Sequence, residues 1–321
     1  MPSRMSLRQI EAIIAVCEEG SFTRAAAREH ATQSGISQHV AAAETALGVR
    51  LFDRTAAGVT PTPAGLRYYR HCVEAMSLLD RAGENAQALT GTLTGHLRIG
   101  LMPTFTRAAL TPTLQHFVTA HPDLQLQIVE AYSATLTEQV LDGVLDFAIV
   151  PAFEGRVGLK SRLILRDREV LISARGRQFA PLKPVRLAEC GPLKIVIPAP
   201  DNIRRRNLDV YFQTHNVRIA RLIEMDAMMA TFDFVARSDF VTVLPGLICV
   251  NDIGRDEFCI NPVEPPLYAE FVVITPSRRT LSSPARLFLE RFEADLAATE
   301  KRLKGLLKGG TARRGKAERC G

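Results

Sequence analysis

Gln33, Ser34, Ser37 and Gln38 lie on a stretch that also sets Ile36, Val40, Ala43 and Leu47 at helical spacing, so short polar groups share one face and apolar groups the other. Amide and hydroxyl side chains near a helix start can hydrogen-bond base edges and phosphates in a nucleic-acid groove, and the free N–H groups there favour phosphate. Thr32 is placed to cap this helix, His39 to touch phosphate, and Arg24 and Arg54 to sit near the nucleic-acid backbone. A solvated helix face has the same composition, so the pattern alone leaves both readings open.

A face that reads a groove must be held by a small, tightly packed head. Upstream, Ser6-Leu7-Arg8-Gln9 has the spacing of a capping box, and Leu7, Ile10, Ile13, Ile14 and Cys17 form the apolar stripe of the helix it opens. Gly20 is positioned to end that helix, and Ser21 to cap a short alanine-rich one. Small residues let two helices cross closely around a short turn, as a helix-turn-helix requires. Leu51 and Phe52 read as a core strand, and Asp53 to Thr60 as a hairpin wing turning at Gly58.

These residues resemble the amino-terminal domain of the LysR-type transcriptional regulators: GSFTRAA, TQSGISQHV, ETALGVRLFDR and TPTPAG follow one another in that family's register between Leu7 and Gly65. The resemblance implies a winged helix-turn-helix that binds double-stranded promoter DNA. Four positions depart from it: Glu29 and Ala43 replace leucines of the small core, Ala57 a wing arginine, and Pro61 a leucine. A buried unpaired carboxylate costs several kcal/mol, so Glu29 is expected to turn to solvent at a helix end.

The chain has 321 residues, 46% of them hydrophobic, enough for two or three domains of a soluble globular protein. No apolar run approaches the roughly 20 residues of a membrane span, and MPSRMSLRQIEA lacks the apolar core of a secretory signal, so a cytoplasmic protein is expected. Its six cysteines form no Cys-x-x-Cys pair and read as core residues in a reducing compartment. The seven histidines are dispersed without metal-ligand spacing, and neither a Walker loop, a dinucleotide turn nor a nucleophile elbow is found. No catalytic residue, metal or cofactor is assigned.

The formal charge of +6 comes from the last 21 residues, where eight basic side chains meet one acid; the first 300 residues carry −1. Residues 1–61 hold six arginines and six acids, so DNA binding must rest on placement, with acids turned away from phosphate. The glycine-containing basic tail, 301–321, is expected to be disordered, either adding nonspecific attraction to DNA or serving no function.

Thr62-Pro63 is a cap followed by proline at the first helical position, and Leu66, Tyr69, Val73, Met76 and Leu79 continue a helical stripe towards Leu89. Such a helix spans about 42 Å. A second copy packed antiparallel is one partner for the stripe, giving a homodimer with two heads; packing against its own chain is the other. From Gly95, strands at 97–101, 124–130, 146–150, 169–173, 194–197, 220–224, 240–244 and 270–275 alternate with helices near 107–120, 134–142, 203–214, 228–236 and 284–300. The order suggests two lobes joined by crossovers near 165 and 267.

The fold class expected is therefore α/β, with an all-α-rich winged helix-turn-helix head, a long linker helix and a two-lobed effector module. The segments are 1–62 for the head, 63–92 for the linker, 93–300 for the module (lobe I 93–165 and 268–300, lobe II 166–267) and 301–321 for the tail. Hydroxyls and backbone amides beyond strand ends suit a small organic anion. GHLRIGLM, the run from Ala120 to Val150, and VTVLPG look like the same family's effector module. That resemblance implies a periplasmic-binding-protein-like pair of lobes, with effector contacts at Thr104, Ser133, Pro198, Ala199 and Pro200, and a homotetramer; Phe105, beside Thr104 beyond the end of the first strand, is expected as a further contact. Thr104 and Ser133 also read as caps of the helices that follow. Met225, Met228, Met229, Phe232 and Phe234 read as core, and Arg204, Arg205 and Arg206 as a solvated run, one of which could meet an anionic effector. The function expected is a ligand-responsive transcription factor; the alternative is a solute-binding receptor or small-molecule enzyme built on the two lobes.

Overall fold

The structure, a computed structural model, describes residues 5–55, 58–88, 93, 95–176, 179–200, 202–277 and 280–312. The chain divides into two compact units. One contains residues 1–91, 155–160 and 275–282; the other contains 92–154, 161–274 and 283–321.

The first unit opens with α1 (Leu7–Glu19), α2 (Phe22–Arg28) and α3 (Gln33–Leu47). Each starts where a side chain replaces a missing helical acceptor: the Ser6 and Gln9 side chains form a reciprocal capping box, Ser21 accepts from the Arg24 N–H, and Thr32 from the Gly35 N–H. Gly20 ends α1 at φ +59°, a left-handed conformation that glycine adopts without steric cost. Ile13, Val16, Phe22, Ala25, Ile36, Val40, Ala43 and Leu51 close the core. Leu7 departs from the expected stripe: at the first turn of α1 it is 52% exposed. Ala43 is fully buried, its small side chain filling the place expected for leucine.

β1 (Phe52–Thr55) and β2 (Gly58–Pro61) pair antiparallel, and α4 (Pro63–Ala88) follows. Ala57 and the linker beyond Ala88 lie outside the described residues. The α4 start is nested on the backbone before the wing. Thr62 N–H donates to the Leu51 carbonyl at 2.9 Å, its Oγ1 to the Arg50 carbonyl at 2.9 Å, and that Oγ1 accepts from Gly65 N–H at 3.0 Å. A Cβ on Gly65 would stand 2.0 Å from the Leu51 carbonyl oxygen. Along α4 the stripe divides: Tyr69 and Val73 are buried against the head, while Leu78 and Leu79 are exposed.

In the second unit the chain runs β3 (Gly95–Leu101), α5 (Pro103–Phe105), a π-helical turn (Thr106–Leu110), α6 (Thr111–Ala120), β4 (Leu124–Glu130), α7 (Ser133–Leu141) and β5 (Phe147–Pro151). It continues through β6 (Leu159–Ala174), β7 (Val185–Arg186), β8 (Leu193–Ile197), α8 (Ile203–Thr214), β9 (Ile219–Glu224), α9 (Met228–Arg237) and β10 (Val241–Pro245). It ends with β11 (Phe258–Glu264), β12 (Tyr268–Pro276) and α10 (Ser283–Ala312). β3 pairs parallel with β4 and β5, and β8 parallel with β9 and β10. The strands β6 and β12 sit side by side between these groups, which places the two lobes on either side of a double crossover.

Lobe II has a core on each face of its sheet. Val170, Ile172, Val196 and Leu244 enter one, and Leu171, Ile195, Ile197 and Val243 the other, as the two-residue period of a strand requires. β11, which pairs antiparallel with β6, was not expected from the sequence. The tail expectation also changes: α10 runs without a break through Ala312, and only 313–321 lie outside the described residues.

Candidate DNA-reading head and effector crevice

On α3, Gln33, Ser34 and Gln38 are exposed and Ser37 and His39 half-buried, while Ile36, Val40 and Ala43 turn to the core. Thr32 is occupied as the N-cap. Arg54, on β1, donates from Nη2 to Ser37 Oγ at 3.2 Å and lies 4.6 Å above the Phe22 ring. Arg24 is two-thirds exposed and leans on the Glu19 carbonyl and carboxylate.

The acids of the head are largely spoken for. Arg28 is bound by Glu18 at 2.6 Å, Glu19 at 3.1 Å and Glu29 at 3.4 Å, with Glu18 nearly enclosed. Glu29 is therefore at the end of α2 as expected but paired with Arg28 rather than turned freely to solvent. Burial pulls the Arg28 pKa down, but Glu18 and the other acids outweigh it and hold the guanidinium above its usual range. Glu44 Oε1 accepts from the Leu51 and Phe52 N–H groups at 2.7 and 3.1 Å, tying α3 to the wing. Four of six acids thus face internal partners, and a head of zero formal charge can present cations outward.

In the second unit a small crevice, part of it open to solvent, is lined by Met102, Pro103, Thr104 and Tyr132 from one lobe and by Pro198, Asn202, Arg204, Met225, Asp226 and Met228 from the other. Of the residues expected to contact an effector, Thr104 and Pro198 line this crevice. Phe105 does not: it is fully enclosed, edge-on to Phe271 at 4.9 Å and beside Phe292 at 6.4 Å, and anchors the lobe I core. Ser133, 8% exposed, is the first residue of α7 next to Tyr132. Ala199 donates its N–H to Asp226 at 3.3 Å, and Pro200 is exposed; neither Ser133, Ala199 nor Pro200 lines the crevice. The helices after Met102 and Tyr132 carry no side-chain cap, so neither Thr104 nor Ser133 serves as one.

The arginine run is not a solvated face. Arg204 is 5% exposed and bound to Glu169, while Arg205 holds Asp209, Glu224 and the Pro198 carbonyl; Arg206 alone is exposed. Burial pushes the Glu169 carboxyl up, against the pull of Arg204. Tyr132 was missed by sequence reasoning. Its phenol is pushed up by burial first and then by Asp226, while a Met228 backbone hydrogen bond and Arg204 act in the opposite direction. Met225 and Met228, expected as core, sit at the core edge and line the crevice as well. These long-range neighbours leave no local sequence signal.

The described thiols do not resemble reactive ones. Burial lifts Cys17 to about 12 and Cys72 to about 11, and Cys249 also rises, so thiolate is scarce at neutral pH. Among the described residues no group of acids, histidines and cysteines is placed to hold a metal, and no helix is long and apolar enough to cross a membrane.

Residues 90–297 match the family description LysR substrate binding domain, and residues 7–66 match Bacterial regulatory helix-turn-helix protein, lysR family. The chain is 26% identical over 288 residues to the nitrogen assimilation regulatory protein nac of Escherichia coli (strain K12), covering 89% of this chain and 93% of that one. It is 25% identical over 295 residues to the transcriptional activator protein LysR of the same organism, covering 92% and 93%. The structure of a hydrogen peroxide-bound OxyR mutant from Corynebacterium glutamicum shares the fold at TM-score 0.56 and 20% identity, covering 96% of this chain and 97% of that one. With a helix-turn-helix head ahead of a two-lobed effector module, this chain belongs to the LysR family of DNA-binding transcriptional regulators.

Proposed function

We propose that the crevice between the lobes takes a small organic molecule bearing a carboxylate, and that its occupancy alters how paired heads engage promoter DNA in the cytoplasm. The observation that carries this reading is the crevice itself, lined from both lobes and bordered by Thr104, whose hydroxyl caps no helix. A ligand touching both lobes has different contacts in open and closed arrangements, and only that difference in affinity can shift the equilibrium. The exposed Leu78 and Leu79 on α4 favour a homodimer through the linker helix, and pairing of dimers gives the homotetramer expected of the family. In each head the start of α3 enters the major groove, with Gln33, Ser34, Ser37 and Gln38 at base edges and Arg24, His39 and Arg54 near phosphates.

Footprinting the purified protein on its own upstream DNA, with and without a panel of small acids, tests the reading. The expected result is a protected region whose extent changes with one of the acids, and loss of that change in Thr104→Trp with protection intact. A response that persists in this variant would place the effector elsewhere.

A further inference from the structure

Arg204 arrives at the crevice with its charge already matched. Its Nε donates to Glu169 at 3.1 Å, its Nη2 reaches both Glu169 oxygens at 2.9 Å, and Nη2 also donates to the Val243 carbonyl at 3.1 Å. Arg204 and Glu169 are 5% and 3% exposed. Among the described residues none accepts a hydrogen bond from Nη1, although Arg204 lines the crevice. This nearly enclosed guanidinium therefore offers donors to the crevice without adding net charge to it.

Asp226 is the opposite case. It accepts from the Ala199 N–H at 3.3 Å and from Asn202 Nδ2 at 3.4 Å, both long bonds from neutral donors, and among the described residues it has no ion-pair partner. Asn202 Oδ1 also accepts the Arg204 backbone N–H at 3.1 Å as the cap of α8, so the same side chain ties Asp226 to the start of the helix that carries Arg204. A plain anion would satisfy Arg204 Nη1 and be repelled by Asp226; a plain cation would satisfy Asp226 and leave the donors unmatched. An adjacent ammonium and carboxylate on one molecule satisfy both.

We propose that the effector is an α-amino acid with an apolar side chain. Its ammonium sits at Asp226, its carboxylate accepts from Arg204 Nη1 and the Thr104 hydroxyl, and its side chain faces Met102, Met225 and Met228. This rests on the crevice being the effector site. Titration calorimetry on the wild-type full chain compares L-leucine and L-methionine with 4-methylpentanoate, which lacks the ammonium, and 3-methylbutylamine, which lacks the carboxylate. The expected result is that an amino acid binds at least about tenfold more tightly than either truncated compound. Asp226→Asn should weaken the amino acid by a similar factor and leave the acid unchanged or tighter, while Asp226→Glu recovers part of the loss. Equal binding of 4-methylpentanoate overturns the amino-acid proposal and leaves the crevice as a site for acids. Failure of every proteinogenic L-amino acid to bind also overturns it. Amino-acid binding that is unchanged by Thr104→Trp overturns the crevice reading as well.

Discussion

Arg54 and Ser37 are one unit: the guanidinium on the wing strand donates to the hydroxyl on α3 at 3.2 Å, and the Phe22 ring lies beneath it. The wing and α3 are thereby held in a common geometry before any DNA arrives. Replacing Ser37 and Gln38 together with alanine should abolish preference for the operator over scrambled duplex, with thermal stability close to wild type, because Gln38 is exposed and the Ser37 bond is solvent-accessible. Competition gel shifts read this; equal loss on both duplexes would mean that the pair positions the head rather than specifies the sequence.

Arg28 is shared by three carboxylates, of which Glu18 is the most enclosed and also accepts the Tyr69 hydroxyl at 2.8 Å. Arg28→Ala leaves Glu18 buried without a cation and should cost about 3 kcal/mol of head stability. Arg28→Ala with Glu18→Gln should recover a measurable part. Urea denaturation of the single and double variants gives the coupling; additive losses would contradict the pairing.

Gly65 is required by close approach rather than by backbone conformation. A methyl group there would press on the Leu51 carbonyl that already accepts the Thr62 N–H, so α4 must shift away from the wing. Gly65→Ala should destabilise the head by about 2 kcal/mol or more. A melting temperature unchanged from wild type would show that the contact is looser than described.

Asp167 is nearly fully enclosed, and burial raises its pKa to about 7 although its Oδ2 accepts the Leu247 N–H at 2.8 Å. Because the folded pKa lies above the unfolded value of 3.8, the folded state binds the extra proton, and stability falls as pH rises from about 4 to about 7. The slope has a limit of about 1.4 kcal/mol per pH unit for one proton. Asp167→Asn should remove this component, so that stability measured against pH differs between wild type and variant inside that window and runs parallel above it. Parallel profiles throughout would show that the carboxylate ionises normally.

Helix starts and stops were legible because each depends on neighbours in the chain: Ser6 with Gln9, Ser21 with Arg24, Thr32 with Gly35, and Gly20 adopting a backbone that costs other residues energy. The α3 polar face and the alternation of strands and helices follow from the same short periods of three to four residues and of two. Contacts without a period were hidden. Arg204 finds Glu169 35 residues away, and Arg107 on the π-helical turn finds Asp252 145 away at 2.7 Å. The place of Phe105 beyond a strand resembles a binding position in the sequence, whereas Phe271 and Phe292, brought in from far along the chain, enclose it. Local sequence decides hydrogen bonds that close within one turn; which charges are neutralised and which remain to meet a ligand depends on segments that only packing brings together.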